Sequence, residues 1–159
     1  MINLKKLVLP AFGSLVLIVA ACKKNSDTTV NPVVTKTGLL VNTSQEVPAV
    51  TTSNATGTMD VTYNKSTKLL TYNVNWMGLS DSIVSSHIHG TGKRGAMAGV
   101  VVPFTVTNKG ALTGSYSGTF TVDGSAIKED SLLLGFYYLN IHTKKNPGGE
   151  IRGQIEFTP

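Results

Sequence analysis

The sequence predicts an all-β domain, a sandwich or barrel of about eight short strands, and two observations carry that expectation. Apolar and polar residues alternate without a break over Leu70-Thr71-Tyr72-Asn73-Val74-Asn75-Trp76, the period of a strand with one buried and one wet face. Short runs of this kind recur along about 120 residues, separated by turns that carry Gly and Asn. That spacing suits an antiparallel sandwich or barrel, and the length suits one core and not two.

Taken in order, the first strand is expected around Leu39–Asn42, followed by Thr58–Tyr63, where Met59, Val61 and Tyr63 alternate with polar residues, and Leu70–Trp76. The polar stretch Asn64–Lys68 between the second and third reads as the turn of an antiparallel hairpin. Later strands are expected at Ile83–His89, Val100–Val106, Gly114–Val122, Tyr137–Thr143 and Glu150–Phe157. One short helix fits Ser125–Leu134, with Asp123 or Ser125 available as its N-cap.

Ahead of the domain the chain reads as an export signal. Lys5 and Lys6 make a basic start, Leu7–Val19 an apolar run of thirteen residues, and Ala20-Ala21 a small-residue end before Cys22. A spanning helix needs roughly 20 apolar residues, so this run is short for an anchor and right for a secretory signal. Val19-Ala20-Ala21-Cys22 resembles the bacterial lipobox, which implies cleavage before Cys22 and acylation of its thiol. The expected organisation is a lipoprotein signal peptide at 1–21, a lipidated flexible tether at 22–37 rich in Asn, Ser, Thr, Val and Pro, and a domain at 38–159. Cys22 is the sole cysteine, so no internal disulfide is available, and acylation removes the exposed free thiol. Each buried methylene contributes about 0.8 kcal/mol, and two or more acyl chains anchor stably. The protein is therefore expected to be exported and lipid-anchored to the cell envelope. Lys23 after the cysteine resembles no inner-membrane retention signal, which points to the outer membrane.

The net charge of +5 belongs mostly to the leader and tether. Within Gly38–Pro159 nine basic residues meet eight acidic ones, and no basic-aromatic stripe occurs, so nucleic acid is not an expected partner. The expected partners are the membrane, through Cys22, and an envelope or extracellular partner.

Four segments carry a resemblance to a known family. They are Gln45-Glu46-Val47-Pro48, Ser86-His87-Ile88-His89-Gly90, Val100-Val101-Val102-Pro103, and Asn140-Ile141-His142-Thr143 continuing through Asn146-Pro147-Gly148-Gly149-Glu150-Ile151-Arg152-Gly153-Gln154. In order and spacing they resemble the CHRD domain, named for chordin and found in bacterial exported proteins. The likeness spans Gly38 to Phe157. It implies an immunoglobulin-like or Greek-key β-sandwich or barrel and says little about activity. Ser86, where alanine is common in the family, and Ala49, where a second proline is common, depart from its pattern.

All three histidines lie in these segments. His87 and His89 are two apart on an expected strand, so both imidazoles leave one face, and His142 on another strand can supply a third nitrogen. Three imidazoles with an open fourth position suit copper or zinc. The alternative is a structural cluster in which the imidazoles hydrogen-bond to loops at Gly90–Gly99 and Lys144–Gly149. His87-Ile88-His89-Gly90, His142 and Gly149-Glu150-Ile151-Arg152-Gly153 also resemble parts of the copper-zinc superoxide dismutases. That likeness implies copper on the three histidines and an anion drawn by Arg152, although no fourth histidine exists for a bridging position.

Glu150 and Arg152 are the remaining site-adjacent polar candidates. They share one face of an expected strand with Gln154 and read as a sheet-surface ion pair, worth about 0–1 kcal/mol. Gln45 and Glu46 are expected to tie down the bend before Pro48. The Gly-rich stretch Gly90–Gly99, with Lys93 and Arg94, reads as a mobile loop at the rim of a binding surface, and no helix follows it to make a phosphate cradle. No Ser-His-acid order, nucleophile elbow or pair of acid–base carboxylates is discernible. Two function classes lead: a non-catalytic binding or structural module of the envelope, and a copper- or zinc-binding protein or dismutase-like enzyme. A carbohydrate-binding domain would need an exposed aromatic platform, and Trp76 alternates with core residues.

Overall fold

A computed structural model of the protein describes residues 31–158. The signal segment, Cys22 and most of the expected tether lie outside the described residues. The domain has eight strands, β1 (Val33–Asn42), β2 (Thr56–Asn64), β3 (Leu69–Met77), β4 (Ile83–Gly90), β5 (Val100–Pro103), β6 (Gly114–Thr121), β7 (Tyr137–Thr143) and β8 (Ile151–Ile155), with one short helix α1 (Glu129–Leu133). All pairings are antiparallel, and the strands form one curled sheet in the order β5-β4-β7-β8-β1-β2-β3-β6. The fold is all-β, as the alternation implies.

The hairpin between β2 and β3 closes on Asn64, whose Oδ1 accepts from Ser66 N at 2.9 Å and Thr67 N at 3.1 Å. Along β3 the alternation is complete: Leu70, Tyr72, Val74 and Trp76 are buried and their neighbours exposed. Curling brings β4 over β6, where Ser86 Oγ and Tyr116 Oη meet at 2.6 Å. Between them Phe104 stacks on Tyr72 with centroids 4.3 Å apart, and Trp76 tilts against Tyr116 at 5.3 Å. Burying each such ring contributes about 1.5–3 kcal/mol, and the Trp76 indole N–H is satisfied by Ala111 O at 3.2 Å.

Two expectations need correction. β1 starts at Val33, so Val33–Lys36 pair with β2 and belong to the sheet, not to the tether. A bulge between Lys36 and Leu39 hid this strand from a reading based on unbroken alternation. Gly38 takes φ +66° there and donates its N–H to Asp60 Oδ1 at 2.8 Å. The helix is shorter than Ser125–Leu134, with Lys128 at its N-cap and no side-chain cap. Asp123 accepts instead from Ser125 N and Ile127 N, so its carboxylate shapes the preceding turn.

The second sheet half, β4, β7 and β8, positions the site. Its inner face (Ile88, Leu139, Ile141, Ile151, Ile155) packs into the core. Its outer face carries His87 and His89 from β4, Tyr138, Asn140 and His142 from β7, and Arg152 and Gln154 from β8. Every residue of β7 and β8 is buried, because the loops at 90–99 and 144–149 and the turn Thr43–Gln45 cover that polar face.

Candidate metal centre

Cross-strand register sets His89 opposite Tyr138 and His87 opposite Asn140, with His142 opposite Ser85. The period-2 rule then brings the three imidazoles to one face, and the ligand nitrogens all lie within 4.8 Å of one another. Ring centroids are 4.6 Å apart for His87 and His142 and 5.3 Å for His87 and His89.

The hydrogen bonds fix which nitrogens are free. A carbonyl only accepts, so His89 Nδ1–H donates to Ala98 O at 2.9 Å and His142 Nδ1–H donates to Pro147 O at 2.9 Å. Each of these rings, when neutral, then carries its lone pair on Nε2. His87 Nδ1 lies 3.3 Å from His89 Nε2; in the metal-free pair His87 Nδ1–H donates to it, and His87 takes its Nε2–H tautomer when both nitrogens face one ion. His142 Nε2 is buried with no hydrogen-bond partner among the described residues, a loss of about 1–3 kcal/mol for an unsatisfied group.

Burial holds all three imidazoles below the usual histidine range. His87 falls to about 4, through burial first and then its neighbours His142 and His89. His89 and His142 are lowered by burial, partly offset by their bonds to Ala98 O and Pro147 O. The rings are therefore neutral at pH 7 and need shed no charge to receive a cation.

This donor set fits a transition metal. Two nitrogens about 2.0–2.1 Å from one ion at a tetrahedral angle stand about 3.3–3.4 Å apart, the observed His87–His89 separation of 3.3 Å. For three ligands at that angle, a pair at the full 4.8 Å closes by about 1.4–1.5 Å, a movement that side-chain rotations supply. The Nδ1–H bonds to backbone carbonyls are the outer contacts that orient ligating histidines. Both of the loops expected to be pinned by imidazoles are so pinned, and the same bonds leave Nε2 of His89 and His142 unprotonated.

The two other polar candidates are not a surface pair. Glu150 precedes β8 and is 0 % exposed, and Arg152 is 2 % exposed. No ion pair joins them among the described residues. Glu150 accepts from Ser53 Oγ and Ser80 N on Oε1, at 2.6 and 2.7 Å, and from Thr143 Oγ1 and Ser80 Oγ on Oε2, at 2.6 and 2.9 Å. Burial pushes its carboxyl up, but these bonds outweigh burial and hold it below the usual carboxylate range. Glu150 is thus a fixed anion that ties the segments at Ser53 and Ser80 to the end of β7. Arg152 donates to Ala96 O at 2.8 Å, Lys93 O at 3.2 Å and Gln154 Oε1 at 2.9 Å.

The loop at 90–99 is accordingly tied down, in place of the mobile rim expected from its glycines. Gln154 Nε2 donates to Gly92 O at 2.8 Å, Ala98 N donates to Tyr138 Oη at 3.0 Å, and Arg94 bonds Glu156 and Gln45. Gln45 does hold its bend, through Nε2 to Leu40 O at 2.6 Å. Glu46 is buried against Asn140 beside a cleft of about 350 Å³ lined by Pro48, Met97, Lys145 and Pro147.

Sequence reasoning missed Tyr138. Its ring stacks on His89 with centroids 4.9 Å apart and planes 2° from parallel. The signal was present: Tyr138, Asn140 and His142 are spaced by two on one strand and share its face.

Comparison with curated proteins and with solved structures finds no match. The sequence profile of the CHRD domain matches residues 38–155, which covers His87, His89, His142 and the loops that orient them, and the chain belongs to the CHRD domain family.

Proposed function

We propose that this chain is an exported, lipid-anchored CHRD module of the cell envelope that binds one copper or zinc ion through His87, His89 and His142. The observation that carries the reading is the convergence of three neutral imidazole nitrogens within 4.8 Å, two of the rings being turned by backbone carbonyls so that Nε2 carries the lone pair. A bound ion would supply a Lewis-acid centre, and for copper also a one-electron couple. The chain's own residues supply neutral ligands, a fixed tautomer and a shielded, largely buried setting. The dismutase likeness gains no support from Arg152, which is 2 % exposed and commits three N–H groups to Lys93 O, Ala96 O and Gln154. The proposed role is therefore binding without a reaction of its own.

Calorimetric titration of the purified soluble domain with Cu(II) and Zn(II) tests this. One ion should bind per chain with low-micromolar affinity or better, and His89→Ala should weaken it at least tenfold. No binding by the wild type, or equal binding by the two proteins, would contradict the reading.

A further inference from the structure

Arg152 is 2 % exposed, and no carboxylate lies within 4.0 Å of it among the described residues. A buried cation without an ion-pair partner is expensive and needs another set of partners. Those partners all lead to one place. The guanidinium carbon stands 3.4 Å from the centroid of the Tyr138 ring, and the imidazole of His89 stacks on that same ring. The strand order β4-β7-β8 sets the phenol between the imidazole and the guanidinium.

A second route runs through the backbone. Arg152 Nη1 and Nη2 hold the carbonyls of Ala96 and Lys93. Ala98, two residues on, accepts His89 Nδ1–H on its carbonyl and donates its own N–H to Tyr138 Oη. One planar side chain thus fixes both the stacking surface and the carbonyl that together set the ring plane and tautomer of His89. Lysine has the charge but neither the flat face nor the fork of donors that this arrangement uses.

We infer that Arg152 is a positioning residue for the metal-ligating edge of His89, acting through Tyr138 and through the loop at 90–99, a role that presupposes the metal-binding reading. It does not touch the ion. Its work is to keep His89 in the Nδ1–H form, with Nε2 aimed at His87 and His142.

The test compares the wild-type domain with Arg152→Lys and Tyr138→Leu. Imidazole 15N shifts of the metal-free proteins report the His89 tautomer directly, and Cu(II) or Zn(II) titration reports affinity. Wild-type His89 should be a single Nδ1–H tautomer. In Arg152→Lys the two tautomers should mix and affinity should fall about 10–100-fold, the usual cost of losing an outer contact of a ligating histidine. Tyr138→Leu keeps the guanidinium and removes the stack, so it should show the same sign of change if Arg152→Lys fails to fold. A folded variant with an unchanged His89 tautomer and wild-type affinity would overturn the inference and leave Arg152 a stability residue. If the wild type binds no metal, the metal reading fails, and the tautomer comparison still decides whether Arg152 positions His89.

Discussion

Glu46 is 7 % exposed, and its Oε1 has no hydrogen-bond partner among the described residues. Burial raises its carboxyl from 4.5 to about 7, against the opposing pull of Arg152 and the hydrogen bond from Asn140 Nδ2. The amide oxygen of Asn140 is likewise unpartnered. A Cβ added at Gly149 would lie 2.7 Å from that oxygen and 2.8 Å from Glu46 Oε1, so both atoms crowd one point. Protonation removes the buried charge and turns the unpartnered Oε1 from an acceptor into a donor. The folded state therefore binds this proton more tightly than the unfolded chain does. Its contribution to stability is complete below about pH 4.5 and is lost as the pH rises through 7. The loss should be about 2–3 kcal/mol between pH 5 and pH 8. Urea unfolding of the wild type and Glu46→Gln at both pH values checks it. The variant should be flatter with pH by that amount, and parallel pH profiles would contradict the assignment.

At the scale of elements, the alternation that marks β3 as half-wet was legible because one of its faces does meet water. The same period fails for the environment of β7 and β8. Asn140, His142, Arg152 and Gln154 sit at the polar positions of the pattern, yet they are 4, 7, 2 and 1 % exposed. The sequence contains the period that places them on one face, but not the loops that fold back over that face. So the strands and the shared face of His87 and His89 were readable from spacing alone. The burial of Glu150 and Arg152 was not, because it depends on partners far off in the chain: Ser53 and Ser80 for Glu150, Lys93 and Ala96 for Arg152. β1 was cut short for a local reason, since the bulge at Gly38 breaks the count of two that identifies a strand.

At the scale of the molecule, a single curled sheet does two jobs. Its inner face makes one aromatic-rich core, and the outer face of β4, β7 and β8 carries a covered polar layer in which the histidines converge. The proposed anchor at Cys22 would hold this domain at an envelope surface, outside the reducing cytoplasm. Replacing Cys22 with serine should abolish labelling by a radioactive or clickable fatty acid and move the protein from the membrane to the soluble fraction. Continued membrane partitioning of that variant would count against the anchor while leaving the metal site untouched. The central claim is the metal, and elemental analysis of protein purified from its own envelope addresses it most directly. The account predicts close to one copper or zinc per wild-type chain and a loss of most of it in His89→Ala; metal at background in the wild type, or equal content in both, would contradict it.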